Sequence, residues 1–173
     1  MIGKKSYKRY ISTILNGIFF LSILLFTLDA FTPIEIKSQP IKSFSYLGLL
    51  TLTPLTLIWN LMIIKPMRRK VLAITVPTLS LIGILMIGPL KFVFSASAWQ
   101  TQTVIYQNCY NSSRKVEFQM KDVGALGYNR RTVEVKYLSD LFMITYPVDP
   151  SVDHNVEWVK VDNDVNELEL KFP

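Results

Sequence analysis

Two different periods of apolar residues divide this chain. Over roughly the first 94 residues the apolar side chains come in three long runs, at 11–28, 46–64 and 71 to about 90. Each approaches the roughly 20 residues that carry a helix across a hydrocarbon core at about 1.5 Å per residue. A buried helix of a water-soluble protein repeats a polar face every three to four residues, and these runs carry no charged one. They predict three transmembrane helices, at about 11–29, 46–64 and 71–90, in a membrane domain of residues 1–94. From Thr101 the period becomes two. Val116, Phe118 and Met120 alternate with Glu117, Gln119 and Lys121; Val133, Val135 and Tyr137 alternate with Glu134 and Lys136; Leu168, Leu170 and Phe172 alternate with Glu169 and Lys171. Alternation of this kind marks half-buried strands. Six are expected, at 101–106, 116–120, 133–137, 141–146, 155–161 and 168–172, with turn residues between them, including 162–164. The fold class is therefore a membrane α-helical protein with a small C-terminal antiparallel β domain, a meander or sandwich, over residues 95–173.

Charge gives the helices a direction. Residues 1–94 hold eleven Lys/Arg against two acids, Asp29 and Glu35, while residues 95–173 hold eight against eleven. The net charge of +6 is thus a sum of opposites and gives no nucleic-acid footprint. Lys4, Lys5, Lys8 and Arg9 precede the first run, and Lys65, Arg68, Arg69 and Lys70 separate the second from the third. Positive-inside logic puts both segments in the cytoplasm, with the 31–45 loop and the C-terminal domain outside a plasma (inner) membrane. The first run could open a signal peptide. At 18 residues, ending in Thr27-Leu28-Asp29-Ala30, it exceeds a signal core and lacks a small-x-small cleavage site, so a retained anchor is expected.

Polar residues within the runs predict how the helices pack. Thr53, Thr56 and Asn60 fall at i, i+3 and i+7, on one helical face. Folding the second and third runs into a hairpin sets Asn60 level with Thr75, Thr56 near Leu79 and Ser80, and Thr53 near Gly83. That shared polar-and-small seam is the expected helix contact, with span one standing apart. Pro54 and Pro77 predict kinks tolerated by packing. Asp29 falls at the outer end of the first run and is expected to end that helix in water.

Candidate chemistry is sparse. The stretch 121–131, with Gly124 and Gly127 flanking an apolar pair, predicts either a hairpin link folded over a small core or an exposed loop. In the second form Leu126, Tyr128, Arg130 and Arg131 would bind a protein partner or lipid headgroups. Residues 162–166 begin like an EF-hand loop, but Glu167 stands where Gly is needed and Pro173 where Glu is needed. His154 is the sole histidine and Cys109 the sole cysteine, so no metal site, cofactor or intramolecular disulfide is expected. Cys109 lacks a basic neighbour to activate it. Asn111-Ser112-Ser113 is a glycosylation sequon. The expectation is a non-catalytic membrane protein, in contact with lipid and with other membrane or envelope subunits, an accessory part of a larger complex. An immunity protein against a membrane- or periplasm-acting toxin, or a small sensor or transport component, are the alternatives.

Overall fold

The computed structural model describes residues 2–149 and 156–170, with backbone alone for residues 2–6. The chain divides into two compact units: residues 1–26 with 43–96, and residues 27–42 with 97–173. His154, the start of the expected 155–161 strand and Phe172 lie outside the described residues.

The first unit is helical. It holds most of α1 (Ile2–Phe31), a π turn at Phe44–Gly48 leading into α3 (Leu49–Ile63), then α4 (Met67–Ile87) and α5 (Pro89–Ser95). A short α2 (Gln39–Ser43) precedes the π turn, so the second apolar helix extends back to Gln39 and begins well before residue 46. The third stops at Ile87, because Gly88 takes φ 98° and Pro89 starts a new helix. Among the described residues, three helices are long and apolar enough to cross a membrane.

The polar seam lies elsewhere than the hairpin geometry predicts. Thr53, Thr56 and Asn60 are fully buried on α3, but Thr75 is exposed and donates to Val71 of its own helix. Ser80 is half-buried. Gly83 has nothing within 4 Å of the place a Cβ would occupy, so it mediates no close approach. The polar partner is α1. Asn16 and Asn60 exchange amide hydrogen bonds at 3.2 and 3.0 Å, and Asn60 also donates to the Ala73 carbonyl at 3.0 Å. That carbonyl is the one Pro77 leaves without its i+4 donor, so Asn60 repairs the proline's missing bond. The α1 stripe of Asn16, Phe19, Ile23 and Phe26, at helical spacing, faces inward. Span one is packed, not separate.

One turn further along, Ser22 is fully buried and donates to the Ser45 carbonyl of the π turn at 3.0 Å. The Leu49 amide also donates to that carbonyl at the end of the π turn, so the hydroxyl from the neighbouring helix is a second donor. Gly48 permits the approach: a Cβ there would lie 3.2 Å from the Ser22 hydroxyl. Phe26 stacks on Phe92 at 5.3 Å and meets Tyr46 edge-on at 5.2 Å, closing the core of this unit.

In the second unit, six strands form one antiparallel sheet among the described residues, in the order β1-β5-β4-β3-β2-β6. They are β1 (Ile34–Ile36), β2 (Gln100–Asn108), β3 (Arg114–Asp122), β4 (Tyr128–Tyr137), β5 (Phe142–Tyr146) and β6 (Trp158–Asp164). It is a single sheet, with β2 to β5 a meander. The sixth strand comes from the 31–45 loop instead of residues 168–172. At 166–170 the Asn166 amide bonds both backbone groups of Leu170, and Asn166 and Glu169 adopt positive φ, which fixes a turn despite the alternating leucines. Residues 162–164 belong to β6, where Asn163 and Asp164 pair with Val104 and Thr103. On β3 both faces are buried: Val116 and Met120 on one, Glu117 and Gln119 on the other.

Asp29 departs furthest from expectation. Its carboxylate is 2 % exposed, pairs with Lys42 at 2.8 Å and accepts the Ile36 amide at 2.8 Å. One acid thus closes the 29–42 segment and sets β1 beside β5.

Two double substitutions test these contacts by unfolding the detergent-solubilised chain under circular dichroism. Asn60→Leu should cost about 1–3 kcal/mol, and about 1 kcal/mol less in a Pro77→Ala background, where the backbone donor returns. Equal cost in both backgrounds would sink the repair role. Asp29→Asn should cost about 3 kcal/mol or more by stranding Lys42, and adding Lys42→Met should recover much of it. No recovery would refute the pairing.

Candidate functional site

The link between β3 and β4 is an exposed feature of the sheet unit. These strands pair without interruption from Arg114↔Lys136 to Asp122↔Tyr128. The chain then reverses through a 3₁₀ turn, Gly124–Leu126. Asp122 Oδ1 accepts the Gly124 amide at 2.7 Å, Val123 donates to Gly127 at 2.9 Å, and Gly127 donates to Gly124 at 3.0 Å. Gly124 and Gly127 sit at φ 65° and 86°, where a side chain would add strain. The turn is therefore fixed in shape while its apolar residue points outward. Leu126 is 74 % exposed, Tyr128 42 %, and Arg130 is exposed on the same β4 face as Tyr128.

Arg131 is not presented with them. One position on, it points to the opposite face and donates to both Glu35 oxygens, at 2.8 and 2.6 Å, and to Gln119 at 3.0 and 2.9 Å. Its guanidinium lies 4.1 Å from the centre of the Trp99 ring. Glu35 also accepts from Thr145 at 2.8 Å. Burial alone would push the Glu35 carboxyl up, but the Arg131 bond and charge, with Thr145, outweigh it and hold the group below the usual glutamate range. Lys121, 5.5 Å from the Trp99 ring centre, is held below the usual lysine range by burial and by the charges of Lys42 and Arg131.

A second cluster surrounds Glu117, which is 1 % exposed. It accepts from Tyr137 (2.9 Å), Thr101 (2.8 Å) and Gln119 (3.0 Å). Lys37 donates to the Tyr137 oxygen at 3.0 Å and pairs with Glu167 at 2.8 Å, while Glu167 accepts the Thr101 amide at 2.7 Å. Lys37, Thr101, Glu117, Tyr137 and Glu167 line an open cleft of ≈ 240 Å³. Burial lowers Lys37, but its bonds to Glu167 and Tyr137 prevail and raise it; burial and Glu117 raise Tyr137. Both shifts move away from neutrality, whereas a general acid or base works best near it. The cluster holds charge in place. Among the described residues no three His, Cys, Asp or Glu side chains are grouped to hold a metal ion.

No protein-family model, curated protein or solved structure matches this chain. Of the four loop residues singled out from sequence, Leu126, Tyr128 and Arg130 share an exposed region, and Arg131 braces the interior. Cys109 is exposed in a loop, 3.9 Å from the Val156 carbonyl. Sequence reasoning missed Glu35, Lys37, Lys42 and Glu117. The signal for the first two was the short alternation Ile34-Glu35-Ile36-Lys37, a strand pattern within a loop.

Glu35 makes stability depend on acid. Its folded pKa is depressed, so its contribution is present above the unfolded value and is lost as pH falls through the folded one. The difference in melting temperature between the parent chain and Glu35→Gln should be largest near neutrality and shrink below about pH 4.3. A difference that stays constant across the series would contradict the ion pair.

Proposed function

We propose that this chain is a three-span membrane protein that works by contact, an accessory subunit of a larger assembly in the inner membrane. Its N-terminus is cytoplasmic and its sheet unit lies outside. Support for the membrane placement comes from the helices, whose polarity is inverted. Thr53, Thr56 and Asn60 are buried on α3, whereas Leu55, Ile58, Leu61 and Met62 are exposed, and on α4 Leu72, Leu79 and Met86 are more than half exposed. In water such a surface would be an aggregation liability; in lipid it is the normal outer surface. The lysine and arginine asymmetry supports the orientation.

The observation that carries the contact reading is the preformed loop with Leu126 at its tip. Burying a leucine side chain contributes about 1.5–3 kcal/mol, and Tyr and Arg are favoured interface anchors. A turn already fixed by its own hydrogen bonds loses little entropy on docking. Register adds a constraint on the partner. Gln100 pairs with Met120, so the tip extends past the first residue of β2, at the end of the sheet where the chain enters the unit at Ser97. Gln39 accepts the Ala98 amide there at 2.7 Å. A partner that engages the tip meets this end of the sheet as well.

Purification of the full chain in mild detergent should yield a stoichiometric complex by mass spectrometry. Tyr128→Ala with Arg130→Ala should release the partner and shift the sheet unit's stability by no more than about 0.5 kcal/mol, as for other exposed substitutions. Unchanged co-purification would refute the loop's role. Loss of binding to protein-free liposomes in the same variant would instead assign the loop to lipid.

A further inference from the structure

The charges of the helical unit are all of one sign. Asp29 and Glu35 are the only acids before residue 95, and both belong to the second unit. The first unit therefore contains nine Lys and Arg and no carboxylate at all. Three of these cations, Lys8 and Arg9 of α1 and Lys65 just beyond α3, converge on one cleft of ≈ 520 Å³. Ser12 adds a hydroxyl to its wall, while Met62 and Ile64 supply apolar surface. All three cations are exposed, so water screens their mutual repulsion, and an anion seated among them would be attracted by all three.

We propose that this cleft holds the phosphate group of an anionic phospholipid. The chemistry fits in three respects. An arginine fork matches the oxygens of a phosphate, and lysine adds a point charge beside it. The serine hydroxyl is a further donor. The apolar wall suits the glycerol and first methylenes of an acyl chain, which a free inorganic anion lacks. Basic pockets between helices at the cytoplasmic end are where such headgroups bind. This site rests on the membrane placement proposed above and is independent of any protein partner.

The test uses the full chain in nanodiscs of phosphatidylcholine with a minor fraction of phosphatidylglycerol, both leaflets alike, so that insertion direction has no effect. Retained lipid is counted by native mass spectrometry after release. The parent chain should keep phosphatidylglycerol in preference to phosphatidylcholine. Lys8→Gln with Arg9→Gln should reduce that preference about thirtyfold, the effect of two cation contacts near a membrane surface. Arg68→Gln with Arg69→Gln removes the same charge outside the cleft and should change it little. Equal loss in both variants would overturn the site in favour of diffuse attraction. Full displacement by inorganic phosphate at matched concentration would overturn the lipid in favour of a free anion. Entry into nanodiscs without headgroup preference sinks this site alone, and failure to enter them sinks the membrane placement with it.

Discussion

Asp29 is the point on which the sheet unit is organised. By accepting from Ile36 and pairing with Lys42, it turns a stretch between two apolar helices into a strand. That strand then supplies Ile36 to the core, Glu35 to Arg131 and Lys37 to Tyr137 and Glu167. Closing a segment this short is inexpensive, since loop entropy grows by only about 0.6 kcal/mol per doubling of length. Desolvating two charges costs several kcal/mol each, and good geometry with further hydrogen bonds must offset it. A buried pair of this type is weak evidence for net stability. Its clearer consequence is specificity: with Asp29 fixed, β1 has one place to go.

Long-range order of this kind explains which parts of the fold were legible. The three helices follow from local run length, and β2 to β5 follow from a period of two, because both signals lie within each segment. β1 is only three residues long, and its partner β5 lies more than a hundred residues away, so no local pattern distinguishes it from a loop. The expected 168–172 strand failed for a local reason that competes with alternation, the grip of Asn166 on Leu170. Glu117 and Gln119 look like the wet side of a strand, yet both are buried, Glu117 bonded by Thr101 and Tyr137 and Gln119 by Arg131. A turn at 124–127 was legible because glycine spacing encodes turn geometry directly, but the same spacing left open whether Leu126 folds over the core or points outward, as it does. Arg130 and Arg131 could not be told apart by type, and only the strand's twofold period separates their faces.

The helical unit resolves a different conflict. Pro77 removes the backbone donor to the Ala73 carbonyl, and a buried carbonyl or amide side chain left without a partner is costly. Asn60 answers both needs, and Asn16 occupies its remaining hydrogen-bonding capacity. Proline and asparagine, each costly alone, are compatible as a pair. The hairpin count from the 65–70 loop gave the depth of Asn60 to within two residues but missed its α1 partner, since counting along a hairpin says nothing about a third helix.

Interface size limits what the proposed contact can be. A stable complex buries about 800 Å² on each side, more than a single three-residue tip can present. The surface has to continue, and β4 offers the continuation: Tyr128, Arg130 and Thr132 are all exposed on one face. Tyr146, also exposed, stands opposite Glu134 on the neighbouring strand and shares that face. The opposite face is occupied by Glu35, Arg131, Gln119 and Glu117, held by one another. A partner docking along the first face would meet apolar and aromatic groups without displacing an internal ion pair, apart from Glu134, already bonded to Arg114 at 2.9 and 2.7 Å. One face is thus held together by its own charges, while the other sets exposed Tyr128, Arg130 and Tyr146 beside buried Val116 and Met120, so a docking partner would extend an apolar surface that already exists.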